Sequence, residues 1–88
     1  MTVLPIYFFD TYDTEFHRDD EGSEHADLED ARREVMNFLP EVARWRIPEG
    51  EDHRAFTVLV RDGGGTIVYT ATLTFSGLTL NKEAEPRA

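Results

Sequence analysis

The chain has 88 residues, enough for one domain and too few for a deeply enclosed active site, since a chain of this size buries only roughly 60–65% of its unfolded surface. Its hydrophobic content of 40%, with six Phe, three Tyr and one Trp, excludes a disordered polymer. The absence of cysteine removes disulfides, thiolate metal sites and a Cys nucleophile.

The net charge of −9 is concentrated. Residues 10–30 hold ten acids against one base, Arg18, while acids and bases balance in the rest of the chain. That distribution repels phosphate backbones and speaks against direct nucleic-acid binding. Residues 1–10 have no basic region followed by an apolar run, and no stretch reaches the ~18 apolar residues of a membrane span. A cytoplasmic protein without membrane partners is expected.

Leu4-Pro5-Ile6-Tyr7-Phe8-Phe9 is aromatic and β-branched and predicts a strand that Asp10 ends, with Pro5 at its beginning. It is apolar on both alternating faces, as in a central strand or one covered on both sides. Residues 13–18 alternate weakly and predict a polar partner strand after a turn near Tyr12. Asp19-Asp20-Glu21-Gly22 predicts a further turn, with Gly22 supplying positive φ.

Asp27 predicts a helix N-cap, and Glu29 and Asp30 place negative charge in the first turn, where the helix dipole favours it. Leu28, Ala31, Val35, Phe38, Leu39, Val42 and Trp45 then recur at three- and four-residue spacing as one apolar stripe, with Trp45 anchoring the last turn at the edge of the core. Pro40 removes the hydrogen bond to the Met36 carbonyl, which predicts a kink or break there.

A polar loop over 48–54 leads to strands over 55–61 and 66–75, joined by Asp62-Gly63-Gly64-Gly65. Pairing Arg61 with Thr66 sets Val60 against Ile67, Val58 against Tyr69 and Phe56 against Ala71 on one apolar face. Thr57, Leu59 and Arg61 then share the other face with Val68, Thr70, Thr72 and Thr74. The reading is an α+β domain over residues 1–80, of ββαββ order, with one helix on one face of a four-stranded antiparallel sheet, and a frayed tail over 81–88.

Tyr7-Phe8-Phe9-Asp10, Asp19-Asp20-Glu21-Gly22-Ser23-Glu24 and Asp27-Leu28-Glu29-Asp30-Ala31-Arg32-Arg33-Glu34 together resemble a group of short bacterial proteins known only as a domain of unknown function. The resemblance covers about residues 5–75, because residues 56–75 match that group's valine-rich strand, turn and threonine-rich final strand. It implies the fold and is silent about chemistry. Pro40 departs from the helix expected there. A looser likeness to small antitoxin-type domains is analogy only.

The chemistry-bearing residues are sparse. His17, His25 and His53 fit no paired metal-ligand spacing. Ser23-Glu24-His25 holds the letters of a nucleophile and base, yet neighbours this close in a loop are not expected to engage. Asp10, Asp13 and Glu15, or Asp19, Glu21 and Glu24, offer oxygen ligands without a calcium-loop spacing, so at most a weak cation site is expected and no cofactor. The glycines at 63–65 lead into a strand and not into the helix a phosphate cradle needs.

Association is the stronger expectation. With a helix on one face only, Ile6 and Phe8 (or else Tyr7 and Phe9) join Leu59 and Val68 in an apolar patch ringed by threonine, unless Leu78 and Leu80 cover it. An open strand edge offers a second route. The leading function is therefore a non-enzymatic interaction domain, homodimeric through Ile6, Phe8, Leu59 and Val68. One alternative is an antitoxin-like module holding a basic protein through Asp19, Asp20, Glu21 and Glu24; another is a weak cation-binding protein or small enzyme.

Overall fold

The computed structural model describes residues 3–81. Strand β1 (Ile6–Tyr12) is interior, helix α1 spans Leu28–Arg46, and strands β4 (His53–Arg61) and β5 (Ile67–Ser76) form the long hairpin. Two short strands, β2 (Phe16–His17) and β3 (Ser23–Glu24), share the outer side of β1. The sheet is antiparallel with the order β2-β1-β4-β5, and β3 lies beside β2 along β1. The described residues form five strands, one more than expected, one α-helix and a short 3-10 helix at Ile47–Glu49, an α+β arrangement. Of the tail expected over 81–88, only Asn81 lies within the described residues.

One face of the sheet carries Tyr7 and Phe9, then Phe56, Val58 and Val60, then Tyr69, Ala71 and Leu73, and it receives Ala31, Val35, Leu39 and Ala43 of α1. The buried stripe follows an i, i+4 course and so drifts away from Trp45, which is 64% exposed with the Arg44 guanidinium over its ring. Trp45 is therefore no core anchor, and Ala43 takes that role.

The helix starts at the expected cap: the Asp27 carboxylate accepts from the Asp30 N–H at 2.8 Å. It does not break at Pro40. Pro40 and Met36 both lie on the exposed side, where water can take the carbonyl that proline leaves without a donor.

Two expectations about strands are corrected. Strand β1 runs through Asp10, because Arg61 on the neighbouring strand neutralises that carboxylate (Arg61 Nε to Asp10 Oδ2 2.6 Å, Arg61 Nη2 to Asp10 Oδ1 3.0 Å). The partner strand over 13–18 shrinks to two residues, since Asp13 forms the turn and accepts the Thr14 and Glu15 N–H groups.

The hairpin register is shifted by two residues from the expected one: Val60 faces Tyr69, Val58 faces Ala71 and Phe56 faces Leu73. A shift of two preserves the faces, which is why the apolar side remains correct. Its cause is the turn. Asp62 and Thr66 close a three-residue loop, the Gly65 N–H donates to the Asp62 carbonyl at 3.0 Å, and Gly65 has φ +89°. A bulge follows beside Val60 and Arg61 and leaves Val68 as the extra residue, packed against the core, while Ile67 is 56% exposed.

Candidate functional site

The loop before the helix is organised by Asp19. Its Oδ2 accepts from the Phe9 N–H at 3.0 Å, in the gap along β1 between β2 and β3, so a side chain stands where a strand would pair. Its Oδ1 accepts from Glu21 and Gly22 at 3.1 and 3.0 Å. The Asp19 N–H donates to Asp10, and its carbonyl accepts from Arg61 at 2.9 Å. Burial pushes the Asp19 carboxyl up, but the Gly22, Phe9 and Glu21 N–H groups outweigh it and hold the group below the usual range. Asp10 is also lowered, first through its hydrogen bonds from Arg61.

Gly22 has φ +72°, and a Cβ there would lie 2.7 Å from Ile6 and 2.9 Å from Phe8, so the loop rests on those two side chains. The Arg61 guanidinium stacks over the Phe8 ring at 4.8 Å. Leu59 is half-buried and paired with Asp10. Ile6, Phe8, Leu59 and Val68 therefore do not form one patch: the first two lie under Gly22, and Val68 turns to the core because of the bulge. Leu78 and Leu80 are exposed at 82% and 66% and cover nothing.

The acidic set also divides. Asp19 faces inward, Asp20 meets Arg18 at 3.4 Å, and Glu21 and Glu24 are exposed. Among the described residues, no three His, Asp or Glu side chains gather as a metal site would require. No helix there is long and apolar enough to cross a membrane.

The free edge of the sheet is β5. It has ten residues, none of them charged and none of them proline, and β4 is its only partner among the described residues. Thr70, Thr72 and Thr74 are exposed along it, and the Thr72 hydroxyl lies 2.9 Å from that of Thr57.

Sequence reasoning passes over a second constellation. Ser23 Oγ lies 3.0 Å from His25 Nε2, and His25 Nδ1 lies 3.0 Å from Asp30 Oδ2. The neglected signal is elementary: Ser23 and His25 are alternate residues of an extended segment and point to the same side. Asp30, three residues beyond the cap, reaches back toward what precedes it. The imidazole packs edge-on against Phe9 and Tyr7, at 5.3 and 6.2 Å between ring centroids. The Asp30 carboxylate is held below its usual range, first by the His25 hydrogen bond and then by the Ala26 N–H. An ionised carboxylate only accepts, so Nδ1 carries the hydrogen toward Asp30, and in the tautomer whose single hydrogen sits there Nε2 is open to accept from the Ser23 hydroxyl.

A family model described as a domain of unknown function (DUF6894) matches residues 6–74. The chain belongs to that family, and the match runs from the start of β1 to Thr74, near the end of β5. No curated protein and no solved structure matches it.

Proposed function

We propose that this DUF6894 domain is an interaction module that self-associates, pairing the free edge of β5 with the same edge of a second copy. The observation that carries the reading is the composition of that edge: ten residues without charge or proline, in a chain whose net charge is −9. Sheet edges of soluble domains are ordinarily blunted by lysine, proline, bulges or brevity. Antiparallel self-pairing places threonine against threonine or an apolar neighbour, with no like charges opposed. It also sets the acidic residues of the β2–β3 side at the far ends of the joined sheet, where their mutual repulsion is least.

Size-exclusion chromatography with light scattering, over a concentration series and at two salt levels, tests this. A dimer insensitive to salt is expected. Replacing Thr70 and Thr74 together by lysine should return a monomer, although the change lowers the net negative charge and so favours association everywhere except at the edge itself. A native chain that stays monomeric at high micromolar concentration would sink the reading and turn attention to a basic partner at Asp20, Glu21 and Glu24.

A further inference from the structure

We propose that Ser23 is a nucleophile that accepts a small, uncharged acyl group from an oxygen ester, with His25 taking its proton and Asp30 holding the imidazole. The inference is independent of self-association, since β3 and β5 lie on opposite sides of the sheet.

Three observations support it. The hydrogen-bond chain has the order and distances such chemistry requires, 3.0 Å from Ser23 Oγ to His25 Nε2 and 3.0 Å from His25 Nδ1 to Asp30 Oδ2. The histidine side chain is only 11% exposed, which fixes its orientation, whereas Ser23 is open to solvent. A fastening between β3 and the helix would have no need of an accessible hydroxyl. Ser23 lines an open cleft of about 240 Å³ together with Phe9, Glu34 and Phe38. Its two aromatic walls suit an apolar acyl group, Glu34 disfavours an anionic one, and its volume falls below that of pockets that take drug-sized molecules.

The ladder supplies a further element. Ser23 pairs with Tyr7, and the His25 N–H donates to the Pro5 carbonyl at 3.0 Å, so these are the bonded positions between β3 and β1. Glu24, between them, directs its N–H away from β1. The amide following a nucleophile is where a donor serves a developing oxyanion.

In the step, Ser23 Oγ bonds to the ester carbonyl carbon while its proton passes to His25 Nε2. Collapse breaks the bond to the alcohol oxygen, which takes that proton and leaves. Water entering by the same route returns the serine and releases the acid, and no oxidant or reductant is involved.

The probe is p-nitrophenyl acetate added to the full chain, with nitrophenolate release followed by absorbance and the acetylated residue located by peptide mass mapping. Native protein should acetylate at Ser23 far faster than the same serine in urea. Ser23→Ala should abolish the adduct, and His25→Asn should slow it about a hundredfold. Circular dichroism reports whether the variants keep their helix; if His25→Asn does not, Asp30→Asn serves, with at least about a tenfold loss expected. Equal acetylation of Ser23 in native and urea-unfolded chain, or a rate unmoved by these substitutions in folded protein, would overturn the proposal.

Discussion

Replacing Arg61 by Met isolates the pair that binds β1, β4 and the Asp19 loop. Methionine keeps much of the side chain's apolar length and removes every donor of the guanidinium, including the group that stacks on Phe8. Asp10 is 3% exposed. Among the described residues its Oδ2 bonds only to Arg61, and its Oδ1 keeps a single remaining donor, the Asp19 N–H. A buried carboxylate stripped of its counter-ion destabilises a fold by about 3–5 kcal/mol. A chain of this length has a total stability on the order of 4–13 kcal/mol, so the variant loses a large share of it. The assay is urea unfolding followed by far-ultraviolet circular dichroism; with a slope of about 1 kcal/mol per molar, the midpoint should fall by about 3 M or more. Adding Asp10→Leu to Arg61→Met removes the stranded charge, and the double variant should be more stable than Arg61→Met alone. The reasoning fails if Arg61→Met stays within about 1 kcal/mol of the native chain, or if the second substitution adds its full cost to the first.

Further outcomes follow from the same geometry. Asp10, Asp13, Asp19 and Asp30 all titrate below the usual carboxylate range in the folded chain. The unfolded chain therefore takes up protons first. Stability is fully present above the ordinary carboxylate value of about 3.9 and is lost as pH falls below it through the native values, so urea midpoints that hold steady across this range would contradict the assignment. Pro40→Ala restores a donor for Met36 within an unbroken helix and should raise stability by up to about 3 kcal/mol, read as a higher urea midpoint. Gly22→Ala combines positive φ with contacts of 2.7 and 2.9 Å to Ile6 and Phe8, whereas Gly65→Ala meets nothing within 4 Å. Both should destabilise, Gly22→Ala by about 1–3 kcal/mol and measurably more than Gly65→Ala.

What sequence reasoning reads well here is what depends on neighbours a few residues apart. The cap at Asp27, the helical stripe through Val35 and Leu39, and the face shared by Phe56, Val58 and Val60 all follow from local periodicity. What it misses is settled by partners far along the chain. Asp10 reads as a strand terminator until Arg61, 51 residues later, supplies its counter-charge. The hairpin slips by two because the side chain and backbone of Asp62 both bond within the turn, to Gly64, Gly65 and Thr66, which period-two patterning does not detect. Val68 changes sides through a single bulge. The Ser23–His25–Asp30 chain was legible in principle, from strand alternation and helix-cap geometry, but the two had to be read together.

The two edges of the sheet are treated differently, and that difference bears on function. On the β1 side, the edge is broken into strands of two residues each, and the main-chain donor of Phe9 between them is taken by the Asp19 side chain. Exposed Asp20, Glu21 and Glu24 line that side, so a strand approaching it meets little main chain and much negative charge. At β5, by contrast, ten residues run without a charge, and the one bulge lies at the hairpin end, beside Val60 and Arg61. A fold that only had to remain monomeric would gain from a single lysine at Thr70 or Thr74, both exposed and outside the core. Charge and irregularity are concentrated on one edge and absent along most of the other, so an approaching strand meets negative charge and little main chain on the first, and neither charge nor proline along β5.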